Sequence, residues 1–124
     1  MNVIDRMKDR LQGRWVKGTW RDENSNVCLM GAYRSVAQNR DSKGRYRPGN
    51  KSKALQYIKA VIIREYPDRL TDRSKIGDLE RIKEKWQPNS VIMTFNDHAK
   101  TTEKDVIRVL EKASADMDEW PDGA

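Results

Sequence analysis

The 124-residue chain has one cysteine, one histidine and one phenylalanine. With Cys28 alone no intramolecular disulfide can form, which excludes a stapled extracellular scaffold and favours a reducing compartment. One Cys and one His cannot make a zinc set. The late acidic residues Asp116, Asp118, Glu119 and Asp122 lack the glycine and terminal glutamate of a calcium loop. Gly44 and Gly49 are not followed by the Lys-Ser/Thr pair of a phosphate-binding loop. Neither a metal nor a cofactor is expected. Long apolar runs are missing as well, and Asp5, Arg6, Lys8, Asp9 and Arg10 interrupt the first apolar positions, unlike a signal peptide. The expectation is a cytoplasmic chain with no membrane association.

Charge, by contrast, is abundant: 35% of residues are charged and the formal net charge is +6. It is polarised. Residues 1–33 carry 6 basic and 4 acidic side chains, residues 34–75 carry 12 and 4, and residues 76–124 carry 7 and 11. A strongly basic middle segment attracts polyanions or an acidic partner, and the last third repels them. The length suits one domain over residues 1–124.

Apolar spacing of three and four marks most of the chain as helical. Val3, Ile4, Met7, Leu11 and Trp15 form the first stripe, with Gly13 as a stop. Residues 15–27 lose that period and mix Val16, Thr19, Trp20 and Val27 with a turn-rich 22–26 run, which predicts a short irregular β-hairpin. A second helix over 28–38 shows Leu29, Tyr33, Val36 and Ala37, and its Gly31-Ala32 pair leaves room for a close helix neighbour. The segment 39–52 reads as a flexible basic loop. Ser52 then caps the strongest helix, with Leu55, Ile58, Val61, Ile62 and Tyr66 running to Pro67. A weaker helix carries Ile76, Leu79, Ile82 and Trp86 before Pro88 breaks the chain. The 91–95 run predicts a short buried connector. The last helix opens on a capping-box-like Thr102 and Asp105 and buries Val106, Val109, Leu110, Ala113 and Met117, and residues 116–124 are expected to fray. The fold class is mainly α: a compact irregular bundle of about five helices.

Three constellations bear on chemistry. Cys28 with His98 and Asn96 or Asp97 has the residue types of a thiol nucleophile, a base and an orienting group, and a helix N-terminus lowers a thiol pKa. Opposed to this, a free Cys between Val27 and Leu29 behaves as a small buried hydrophobe and is inert. Asn96-Asp97 is suited to hydrogen-bonding neighbouring backbone amides and setting the angle between connector and last helix. The third is basic: Arg40, Lys43, Arg45, Arg47, Lys51 and Lys53 surround Tyr46, an arm able to follow phosphates and stack on a base. Its plain alternative is a solvated loop. The acidic Asp78, Glu80 and Glu84 argue against a helix-turn-helix reader of DNA sequence. Trp15 and Trp86 continue helical stripes, whereas Trp20 and Trp120 are the tryptophans able to lie exposed and anchor a partner.

The order Trp15, Gly18, Cys28-Leu29-Met30-Gly31-Ala32, Phe95-Asn96-Asp97, Thr102, Asp105-Val106, Leu110 and Ala113 resembles an uncharacterised family of small actinobacterial and actinophage proteins. Its marks are a Cys-x-x-Gly-Ala element and a later aromatic-Asn-Asp before a helix. The likeness spans residues 15–113, with departures in the basic loop at 39–52 and in Phe95 where a Trp is frequent. It brings no established activity. It implies a bacterial or phage cytosolic origin and a structural signature made of Cys28, Gly31, Ala32, Asn96 and Asp97.

The leading functional expectation is a non-enzymatic interaction protein, of bacterial or phage origin, that binds a host or viral macromolecule through the basic middle segment or exposed aromatics. The alternative is non-specific nucleic-acid binding through residues 39–53, and the third is a cysteine hydrolase or transferase using Cys28 and His98. A protein partner leads, nucleic acid follows, and the sequence leaves the oligomeric state open.

Overall fold

The computed structural model of the chain describes residues 2–37, 53–70 and 87–120. Five α-helices appear there, α1 (Val3–Leu11), α2 (Leu29–Ala37), α3 (Lys53–Glu65), α4 (Pro88–Asp97) and α5 (Glu103–Glu119), with a 3-10 turn at Pro67–Arg69. α1 packs on α2 and α5, α3 on α4 and α5, and α2 on α4. Ile4, Met7, Leu11, Leu29, Leu55, Ile58, Ile62, Ile92, Phe95 and Leu110 are sealed from water at the centre. The mainly helical bundle read from periodicity is the fold.

Local chemistry explains the helix boundaries. α5 starts in a capping box, with the Thr102 side chain accepting from Asp105 N at 3.3 Å and the Asp105 carboxylate accepting from Thr102 N at 3.1 Å. α1 begins in the same way on Asn2 and Asp5, and this box is also tied to the far end of the chain. Ser114 Oγ donates to Asp5 Oδ1 at 2.6 Å, and Asn2 Nδ2 donates to Asp118 Oδ1 at 2.9 Å. Residues 116–119, expected to fray, are helical, since α5 runs through Glu119, and residues 121–124 lie outside the described residues.

Three further expectations differ from the structure. The 91–95 connector is the centre of a ten-residue helix that begins at Pro88, because proline at the first helical position needs no N–H partner and has a helical φ. No strand forms among the described residues. Val27 makes two isolated bridges, parallel to Trp15 and antiparallel to Arg21, and neither is continued at the next positions into a ladder. Trp15 lies beyond the end of α1 and outside its stripe. The basic loop 39–52 and residues 71–86 of the predicted fourth helix, Trp86 included, lie outside the described residues.

Candidate functional site

The polar residues picked out in sequence meet where α4 ends, against the start of α2 and the segment joining α1 to α2. Asn96 is the hub, 1% exposed in an apolar surround. Its Oδ1 accepts from Trp15 Nε1 at 2.6 Å and from Leu29 N at 3.1 Å. Its Nδ2 donates to Val16 O at 3.2 Å and to Asp97 Oδ1 at 3.0 Å. Two acceptor sites and two donors are all an amide side chain offers, and here all four are used. The Leu29 amide is one of the four orphan donors at the start of α2, so Asn96 of α4 helps cap α2 from across the core.

Cys28 completes that cap. Standing immediately before Leu29, its Sγ accepts from Gly31 N at 3.3 Å, in the place a serine or aspartate oxygen usually takes. Burial pushes the thiol above its ordinary pKa and the negative charge of Asp97 adds to this, while the Gly31 and Met30 amides oppose it without reversing the direction. The expected lowering by the helix N-terminus is thus outweighed, because a thiolate there loses more hydration than the amides return. Gly31 does allow a close approach, but to a loop rather than a helix: a Cβ there would lie 1.9 Å from the Trp20 carbonyl oxygen. Ala32 is buried one position further on.

Asp97 points outward. Its Oδ1 accepts from Gly18 N at 2.9 Å, so Asn96 and Asp97 bind backbone about 80 residues away rather than the neighbouring amides expected. Lys17 Nζ donates to the carbonyls of His98 and Ala99, at 2.6 and 3.3 Å, and complements the negative end of α4. Glu103, in the first turn of α5, accepts from Gly13 N at 3.2 Å and Trp15 N at 3.4 Å. A recess of about 40 Å³, room for a water or two, is bounded by Gly18, Thr19, Trp20, Cys28, Met93, Asn96 and Asp97. Cys28, Asn96 and Asp97 therefore share one small site. His98 is not among the residues around it; its Nδ1 accepts from Lys100 N at 3.1 Å.

Sequence reasoning missed Trp15, Lys17 and Glu103 as members of this assembly. The one available signal was Trp15, since an indole N–H near a core requires an acceptor. It also missed a second polar cluster at the start of α5. Arg69 Nη1 bonds Thr101 Oγ1 at 3.0 Å and Asp105 Oδ2 at 3.1 Å, with its guanidinium 5.1 Å from the Tyr66 ring centroid. Burial acts to raise the Asp105 pKa, but the Thr102 amide and Arg69 outweigh it and hold the carboxyl below its ordinary value.

Of the remaining candidates, Lys53 opens α3 on its exposed side, and Arg40, Lys43, Arg45, Tyr46, Arg47 and Lys51 lie outside the described residues. Trp20 is half-buried with Arg34 5.1 Å over its ring, whereas Trp120 is 62% exposed. No group of three or more His, Cys, Asp or Glu side chains suited to a metal ion occurs among the described residues. No helix among them is long and apolar enough to cross a membrane.

These features define a small α-helical protein whose helices are clamped around a buried asparagine. The chain belongs to a family of unknown function, DUF6197, whose model matches residues 1–116. No curated protein and no solved structure matches it.

Proposed function

We propose that this chain is a non-enzymatic interaction protein that binds a macromolecular partner in a bacterial or phage-infected cytosol. The observation that carries the reading is Trp120, an indole 62% exposed at the C-terminal end of α5. Tryptophan is enriched among the few residues that carry most of the binding energy at interfaces, and its indole combines a large apolar face with a polar handle. The absence of catalysis is supported by what the reactive side chains already do. The Cys28 thiol is buried and capping α2, and the Asn96 amide is fully engaged. The cellular setting is supported by the resemblance to actinobacterial and actinophage proteins. Affinity capture from such a lysate with the native chain and with Trp120→Ala tests the reading. A specific partner retained by the first and lost by the second is the expected result. Equal retention by both, or turnover of a small molecule by a chain that retains nothing, refutes it.

A second reading is non-specific nucleic-acid binding through residues 39–53, supported by the excess of 12 basic over 4 acidic side chains in residues 34–75. It requires affinity for single-stranded nucleic acid that falls steeply with salt and weakens in Arg45→Ala, Tyr46→Ala and Arg47→Ala. Binding that is equal at low and high salt eliminates it.

A further inference from the structure

The last turn of α5 is helical against its own chemistry. Asp116, Asp118 and Glu119 bring three carboxylates and no basic residue to it, the wrong sign for the negative end of a helix dipole. Met117 packs against the core at half burial, and Asp118, Glu119 and Trp120 beyond it are all exposed. Helical order nevertheless continues to Glu119, and Trp120 N donates to Asp116 O at 2.8 Å. Beyond Met117, one side-chain bond ties α5 to another element among the described residues: Asn2 Nδ2 donates to Asp118 Oδ1 at 2.9 Å. Asn2 is itself firmly placed. Its Oδ1 accepts from Asp5 N at 2.9 Å, its N–H donates to Asp5 Oδ2 at 3.1 Å, and its Nδ2 also reaches the buried Ser114 Oγ at 3.0 Å. One amide thus caps α1 with its oxygen and holds α5 with its nitrogen.

We propose that the bond between Asn2 and Asp118 is a latch that keeps residues 118–120 in helical register and so sets the position of Trp120. Released, these residues fray while the bundle stays folded, because none of the three is buried and Met117 stays packed. Its use in presenting an anchor to a partner rests on the docking role proposed for Trp120; the latch itself is a property of the free chain. Two adjacent carboxylates distinguish it from an ordinary helix end. Alanine at Asp118 or at Glu119 removes a wrong-sign charge and raises helix propensity. Without a latch both substitutions firm the last turn, and with one they act in opposite directions.

Amide hydrogen exchange followed by NMR on the free chain, read as protection of the Trp120 N–H relative to an unstructured peptide, tests this. Glu119→Ala is expected to slow exchange by about twofold. Asp118→Ala should speed it by about threefold, since the lost charge-assisted bond outweighs the gain. Asp118→Asn leaves Asn2 an acceptor and should keep the native rate within about twofold. Asn2→Asp retains a good N-cap for α1 but turns the donor into a second carboxylate, so exchange at the opposite end of the chain should rise by about fivefold. The double variant Asn2→Asp with Asp118→Asn swaps donor and acceptor and should restore the native rate. The amide of Leu110, which is sealed in the core, reports global stability, and the changes at Trp120 should not follow it. Slower exchange in both alanine variants, an unchanged rate in Asn2→Asp, or no recovery in the double variant overturns the latch. Partner retention by Trp120→Ala would refute the docking role alone, because exchange is read without a partner.

Discussion

Replacing Asn96 with alanine removes four hydrogen bonds at once and shows how much of the fold depends on one amide. The loss leaves the Leu29 amide and the Trp15 indole N–H without an acceptor and Val16 O without its donor, while Asp97 Oδ1 keeps Gly18 N. An unsatisfied buried donor costs about 1–3 kcal/mol. Leu29 is fully buried and Trp15 and Val16 are half-buried, so the first bears the larger share. The sum is about 3–4 kcal/mol, a large part of the ~5–15 kcal/mol by which a typical domain is stable. Urea denaturation followed by circular dichroism and tryptophan fluorescence measures it. The unfolding midpoint should fall with little change in slope. Trp15→Phe isolates the indole bond, and in the double mutant with Asn96→Ala the two effects should be non-additive by about 1 kcal/mol. A loss below about 1 kcal/mol for Asn96→Ala would mean that water entering the recess satisfies these groups, and the hub reasoning would be wrong.

Gly31→Ala drives a methyl group into the Trp20 backbone, 1.9 Å from its oxygen, and since backbone cannot yield as a flexible side chain does, a loss of about 2–3 kcal/mol is expected in the same denaturation assay. Phe95→Ala empties the sealed position that packs against the tilted Tyr66 ring, 5.1 Å between centroids, and should cost about 3–5 kcal/mol in thermal or urea unfolding. Lys8→Ala breaks an exposed pair with Glu111 at 3.3 Å and should move stability by less than about 0.5 kcal/mol; a larger loss would show the pair to be more than a surface contact. The Asp5 pKa is lowered, first by the Ser114 hydroxyl and then by the Asn2 amide against opposing burial, and the Asp105 pKa is lowered as described. Because both fold with depressed values, their contribution is present above the ordinary carboxylate pKa and is lost as pH falls through the folded values. Urea midpoints should therefore decline as the solution is acidified below pH ~4, less steeply in Asp5→Asn and Asp105→Asn, and parallel declines in all three proteins would contradict the assignment.

Some of this fold is legible locally. The apolar stripes of α1, α3 and α5 follow the helical period, and the Thr102 to Asp105 capping box depends on residues three apart, so each is written in a few consecutive positions. Pro88 is open to two readings in the sequence, since a proline can break one helix or open another, and the five-residue apolar run behind it is shorter than the window in which period distinguishes helix from strand. The segment before α2 misled for a related reason, since Trp20 and Val27 favour extended backbone but Val27 finds different partners on its two sides.

What the sequence by itself determined is the helical class of the chain and the residue types at its polar signature, because propensity, period and capping act between near neighbours. The tertiary structure alone decided what those residues do. Asn96 meets Trp15, Val16 and Leu29 across separations of 67 to 81 residues, and Cys28 meets the burial that raises its pKa only once α4 and the 17–20 segment close around it. The energy of a buried amide or thiol depends on which groups replace its lost water, and those groups come from distant parts of the chain.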